Sequence, residues 1–86
     1  MVKRYFYPAT LKSCGNYYHL EFVDFPDATP VEGTRLEETL KSAKDILALN
    51  IADYMAENGG KVPRPSFECG NVTIGTTLEG VKTFIW

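Results

Sequence analysis

An α+β fold, with antiparallel strands first, one long helix packed across them and β structure again at the end, follows from three features of this 86-residue sequence. Period-two alternation runs through residues 3–11 and again through 17–23, with Gly15-Asn16 between them. A continuous apolar stripe at helical spacing runs from Leu36 to Tyr54, and β patterning returns after Asn71. A period of two marks a half-buried strand, and one of 3.6 an amphipathic helix. A chain this short makes one domain, residues 1–86, which buries only about 60–65% of its unfolded surface. With 44% apolar residues, including five Phe, five Tyr and one Trp, it still has material for a core.

The first strand, residues 3–11, places Tyr5, Tyr7, Ala9 and Leu11 on one face and Arg4, Phe6 and Thr10 on the other. Pro8 has no N–H to give to a ladder, so this strand lies at a sheet edge or holds Pro8 at an unpaired position. Lys12-Ser13-Cys14-Gly15-Asn16 is a turn, in which Gly15 and Asn16 tolerate positive φ. The second strand, residues 17–23, turns Tyr18, Leu20 and Phe22 inward and Tyr17, His19 and Glu21 outward. The two strands form an antiparallel hairpin with one wet face. Residues 24–32 are a loop with at most a short third strand at 29–31.

The helix is predicted to begin at Thr34, where Glu37 completes a Thr-x-x-Glu capping box. Glu37 and Glu38 occupy its first turn, where the helix dipole favours negative charge. Leu36, Leu40, Ala43, Leu47, Ile51 and Tyr54 form the stripe, widened by Ile46, Ala48, Leu49, Ala52 and Met55. Burying a large apolar side chain is worth about 1.5–3 kcal/mol, so this helix should be the main cover on the sheet. Gly59-Gly60 ends it. Pro63-Arg64-Pro65-Ser66 is a stiff extended connection, followed by β segments at 71–76 and 81–86. An apolar stretch that stops at Trp86 suggests residues beyond it, and an unfinished strand there offers an edge for pairing.

Charge narrows the function. Within residues 21–38, Glu21, Asp24, Asp27, Glu32, Glu37 and Glu38 stand against one base, Arg35, a net −5 in a chain of net −2. Concentrated acid suits a basic partner and works against phosphate binding, which needs Lys and Arg to displace counterions. Tyr5, Phe6, Tyr7, Tyr17 and Tyr18 could stack bases, but only Lys3, Arg4 and Lys12 accompany them. Core packing, or a protein interface, is the expected use of these rings. No apolar run approaches the roughly 18 residues a membrane span requires, and no signal core follows the basic start. A cytoplasmic location is therefore expected, with no membrane partner and with Cys14 and Cys69 as free thiols.

Metal-dependent phosphodiester cleavage needs several carboxylates converging on ions about 3.5–4 Å apart. Asp24 and Asp27 share one loop, Glu37 and Glu38 point in different directions round a helix, and no acid precedes Glu21. A solvated acidic rim is expected in place of a catalytic centre, with no enzymatic activity and no cofactor. His19 has no evident nucleophile beside it. Cys14, His19 and Cys69 give three ligands at irregular spacing, short of the four that structural zinc takes.

In their order, these residues resemble the HicB antitoxin family of bacterial and phage toxin–antitoxin pairs. Tyr7-Pro8-Ala9 and Tyr17-Tyr18 match its first two strands. Phe22-Val23-Asp24-Phe25-Pro26-Asp27-Ala28 is similar to its Phe-Pro-Asp-Leu-Pro-Gly-Cys segment, and the stretch from Thr34 to Glu38 to its Thr-Leu-Glu-Glu helix start. Ala43-Lys44-Asp45, Leu47 and Val62-Pro63-Arg64-Pro65-Ser66 also fit, so the likeness covers roughly residues 5–66. Val23 stands where the family has its first Pro, Asp27 where it has Gly, and Arg35 is an extra residue before Leu36.

The resemblance implies a partial RNase H-like fold without a nuclease's catalytic acids. It also implies a role in neutralising a HicA-type toxin, a small basic mRNA interferase, by occluding its RNA-binding surface. On that reading Asp24, Asp27, Glu32, Glu37 and Glu38 steer the toxin in, Phe25 is the desolvated anchor, and the domain forms a homodimer or higher homo-oligomer. Members often carry a C-terminal DNA-binding domain, so operator binding would need residues beyond Trp86, and this domain by itself should not contact nucleic acid. Two alternatives stay open: a divergent RNase H-like nuclease using Asp24, Asp27 and Glu37 with Mg²⁺, and a transcriptional autorepressor built with such a C-terminal domain.

Overall fold

The computed structural model describes residues 3–85 of the chain. The elements are β1 (Arg4–Ser13), β2 (Tyr18–Phe22), β3 (Val31–Gly33), α1 (Leu36–Glu57), β4 (Val72–Thr77) and α2 (Leu78–Ile85). The strands make one antiparallel sheet in the order β3-β2-β1-β4. Helix α1 lies across the sheet, and α2 packs against α1 and β4. The expected α+β class, three antiparallel strands and then a long helix on the sheet, is what forms.

Strand β1 sorts its faces as its alternation predicts: Tyr5, Tyr7 and Ala9 are buried and Arg4, Phe6 and Lys12 exposed. It is a central strand, so Pro8 is tolerated by its position along the ladder. Val23 N donates to Pro8 O at 3.3 Å, in the register that pairs Ala9 with Phe22. Strand β2 has ended there, and the return bond that a proline cannot make falls outside the paired residues. Across β2, Leu20 and Phe22 are buried and Tyr18 half-buried, again as the alternation requires.

The start of α1 corrects the expected capping box. Arg35 is the N-cap, with extended φ and ψ of −123° and 141°, and no side chain caps it. The extra residue Arg35 moves Thr34 one place too far out, so Glu37 falls at the second helical position, short of the third that the box requires. Thr39 anchors the first turn without capping an N–H: it is buried, and its N and Oγ1 both donate to Arg35 O at 3.0 and 2.7 Å. A Cβ at Gly33 would collide with Thr39 Oγ1, so the glycine allows β3 and the first turn of α1 to close together.

Ala43, Leu47, Ala48, Ile51 and Ala52 form the buried stripe. Leu36 and Leu49 are exposed, contrary to the pattern reading. Leu49 stands about 200° round the helix from Leu47, on the opposite face. Past the C-cap Asn58, Gly59 takes φ +64° and Gly60 N donates to Met55 O at 2.8 Å. This is the Schellman arrangement, in which a left-handed residue lets the chain close back on the last turn.

Strand β4 forms where the β patterning predicts it, but residues 81–85, also predicted as β, are helical. Thr77 explains the change: its Oγ1 accepts from Gly80 N at 3.2 Å, satisfying a first-turn donor that would otherwise lack a partner. Val81, three residues after the half-buried Leu78, is fully buried. The strand edge expected there does not exist, and Trp86 lies outside the described residues. Among the described residues, no helix is long and apolar enough to cross a membrane.

Candidate functional site

The Asp24–Ala28 loop folds back onto α1 because Phe25 enters the core. Phe25 is 6% exposed and meets Tyr7, Phe22 and Tyr54 edge-to-face, with ring centroids 5.0, 6.4 and 6.3 Å apart. Such pairs add about 0.5–1.5 kcal/mol each to the burial itself. Phe25 is therefore held inside the fold and not displayed as a surface anchor.

Asp24 is occupied as well. Its Oδ1 accepts from Ser66 Oγ at 2.8 Å and its Oδ2 from Ser66 N at 3.1 Å. Beside it, Tyr7 Oη donates to Pro63 O at 2.7 Å. Burial, with the Asp24 charge as the next cause, pushes the Tyr7 phenol up to about 12, so it remains a donor throughout the neutral range. Residues 63–66 are thus tied to the β2–β3 loop and to the core beneath it.

With the loop fixed in this way, a groove of about 380 Å³ opens between it and the C-terminal half of α1. Asp24, Asp27, Asp53 and Glu57 line it, with Phe25 and Tyr54 in its walls. Asp27, Asp53 and Glu57 are exposed. Asp53 and Glu57 were not singled out from the sequence. A signal was present for Glu57: the last turn of α1 contains this acid and no base. That order opposes the helix dipole by about 0.3–1 kcal/mol per charge, and a cation docked there would relieve it.

The other acids lie elsewhere. Glu37 and Glu38 are at the opposite end of α1, roughly 30 Å along the axis from Glu57. Glu32 stands on β3 opposite His19 of β2. His19 contacts Glu32 Oε2 through Nδ1 at 3.0 Å and Glu21 Oε1 through Nε2 at 2.9 Å. The hydrogen bond to Glu21, then that to Glu32, raises the imidazole above its ordinary value, and the same contact with His19 lowers Glu21.

One acidic run in the sequence is therefore three separate places in space. Asp24, Asp27 and Glu37 are not brought together, and among the described residues no group of three or more His, Cys, Asp or Glu could hold a metal ion. Cys14 and Cys69 are free thiols. Of the aromatics considered for stacking, Tyr5 and Tyr7 are in the core, while Phe6 and Tyr17 are exposed. No protein-family model matches the chain, and no curated protein matches it either.

Proposed function

We propose that this domain is a binding module of the HicB antitoxin type, without catalytic activity, which takes a basic toxin ribonuclease onto its acidic groove and occludes the toxin's RNA-binding surface. The observation that carries the reading is the meeting of two acidic segments distant in sequence, Asp24 and Asp27 on the loop and Asp53 and Glu57 on α1. The order of elements, three antiparallel strands and a long helix followed by β4, agrees with the partial RNase H-like topology that the family resemblance implies. Asp27, Asp53 and Glu57 supply the steering field for a cationic partner. Asp24 and Phe25 act indirectly, by fixing the loop that carries Asp27. A cytoplasmic location accompanies this reading.

The test is to co-express the domain with a small basic protein encoded by the neighbouring reading frame, capture one through a tag on the other, and measure that protein's RNA cleavage. Capture with loss of cleavage is the expected result. Asp53→Lys with Glu57→Lys should weaken capture at least tenfold, about 1.4 kcal/mol. Glu37→Lys with Glu38→Lys, at the far end of α1, should change it much less. Equal effects from both pairs would remove the groove from the reading, and undiminished cleavage would remove the antitoxin role.

A further inference from the structure

The residue after an asparagine decides how readily the backbone can attack the asparagine's own side-chain amide. Asn16, Asn50 and Asn71 precede Tyr17, Ile51 and Val72, whose side chains crowd the next backbone nitrogen. Asn58 alone precedes a glycine, Gly59, which has no Cβ to shield that nitrogen.

The fold keeps this junction open. Asn58 and Gly59 are both exposed, and apart from chain neighbours nothing lies within 4 Å of where a Cβ on Gly59 would stand. Asn58 N and Gly60 N both donate to Met55 O, at 3.3 and 2.8 Å, whereas Gly59 N–H finds no acceptor among the described residues. The other amides are placed differently. Asn71 is held at both ends, its Nδ2 donating to Leu11 O at 2.9 Å and its Oδ1 accepting from Leu11 N at 2.8 Å. Asn50 lies inside α1, where the helix fixes the backbone on either side of it. Asn58 Nδ2 has one bond, to Tyr54 O at 2.8 Å. Ring closure requires Asn58 to leave its ψ of 26°, and its place at the C-cap permits this, because helix ends open locally at little cost.

We infer that Asn58-Gly59 is a site of spontaneous covalent modification, at which the folded chain converts Asn58 through a succinimide into aspartate and isoaspartate. The deprotonated Gly59 nitrogen attacks Asn58 Cγ. The N–Cγ bond forms, the Cγ–Nδ2 bond breaks, and Nδ2 leaves as ammonia with the proton that Gly59 lost. Water then opens the ring: attack at Cγ gives aspartate, and attack at the main-chain carbonyl carbon gives isoaspartate, whose backbone runs on through Cβ and Cγ. Water is the one co-reactant, and no electrons change hands.

The product alters the end of α1. Either isomer adds a carboxylate beside Glu57, in the groove that Asn58 lines, where the helix dipole disfavours it. Either also loses the donor to Tyr54 O. Isoaspartate lengthens the main chain inside the turn that Gly60 closes on Met55. The modification does not depend on what the groove binds.

The test is to incubate the 86-residue chain, folded, at mildly alkaline pH and to follow each asparagine by tandem mass spectrometry. A urea-unfolded sample runs beside it, and isoaspartate is detected by its enzymatic methylation. Position 58 should gain the mass difference between OH and NH₂ roughly tenfold faster than positions 16, 50 and 71, since only its neighbour lacks a Cβ. Equal rates at all four would overturn the inference. So would conversion confined to the unfolded sample, which would mean that the native turn blocks the attack. Asn58→Gln should abolish the fast conversion. Asn58→Asp, the direct product, should unfold at a lower temperature and exchange its Gly60 amide faster; an unchanged melting curve would overturn the effect on α1. The wild-type time course decides the site even where a variant fails to fold.

Discussion

The carboxylate of Asp24 holds both the hydroxyl and the backbone N–H of Ser66, two residues separated by 42 positions in the chain. This contact joins the loop after β2 to the extended segment after α1, and the walls of the acidic groove depend on it. Hydrogen bonds to a charged group are worth about 1.5–3 kcal/mol. Asp24→Ala should therefore cost about that much in urea unfolding and lower Tm by about 10 °C. Ser66→Ala, which keeps the backbone bond, should cost less, and the double mutant should lose less than the sum of the singles.

Phe25 gives a second prediction, which separates a core role from a surface role. Phe25→Ala should cost about 3–5 kcal/mol, a large part of the total stability of so small a domain. Phe25→Leu should cost distinctly less. Unchanged stability in Phe25→Ala would mean that the ring is not held between Tyr7, Phe22 and Tyr54.

His19 makes the β2–β3 edge sensitive to pH. Its raised value means that its contribution to stability is fully present below its ordinary 6.5 and is lost as pH rises through the raised value. Glu21, lowered by the same contact, contributes above its ordinary 4.5, and that contribution is lost as pH falls through the lowered value. The cluster is at its strongest between these two limits. Following the His19 ring by NMR should show an inflection above 6.5 that falls in Glu21→Gln and in Glu32→Gln. Because the cluster is solvent-exposed, added salt should shrink the shift.

Thr77 is predicted to start α2. Thr77→Ala should cost about 0.5–2 kcal/mol, while Thr77→Ser, which keeps an acceptor for Gly80 N–H, should cost little. Backbone chemical shifts of residues 78–82 should move toward coil values in the alanine variant only.

Much of this architecture is legible in the local pattern. The alternation of Tyr5, Tyr7 and Ala9 against Arg4 and Phe6 determines which face of β1 is buried. The stripe through Ala43, Leu47 and Ile51 determines which face of α1 meets the sheet. Gly59-Gly60 marks the end of that helix. Each depends on the period or conformation of a few neighbouring residues, which any chain with that sequence carries with it.

Tertiary structure decided what local pattern leaves open. Thr34 is displaced from the cap of α1 by Arg35, while Thr77, in a stretch whose local pattern reads as β, caps a helix that buries Val81 in the core. Phe25, expected as a surface anchor on the family resemblance, is drawn into the core, where it packs against Tyr7 and Tyr54. The run of acids from Glu21 to Glu38 was divided by a strand and a helix that carry its members apart. Asp53 and Glu57, which share no segment with Asp24 and Asp27, were brought opposite them. Adjacency in sequence constrains charges over a few ångströms only; a helix roughly 30 Å long and a folded-back loop decide which of them share a surface.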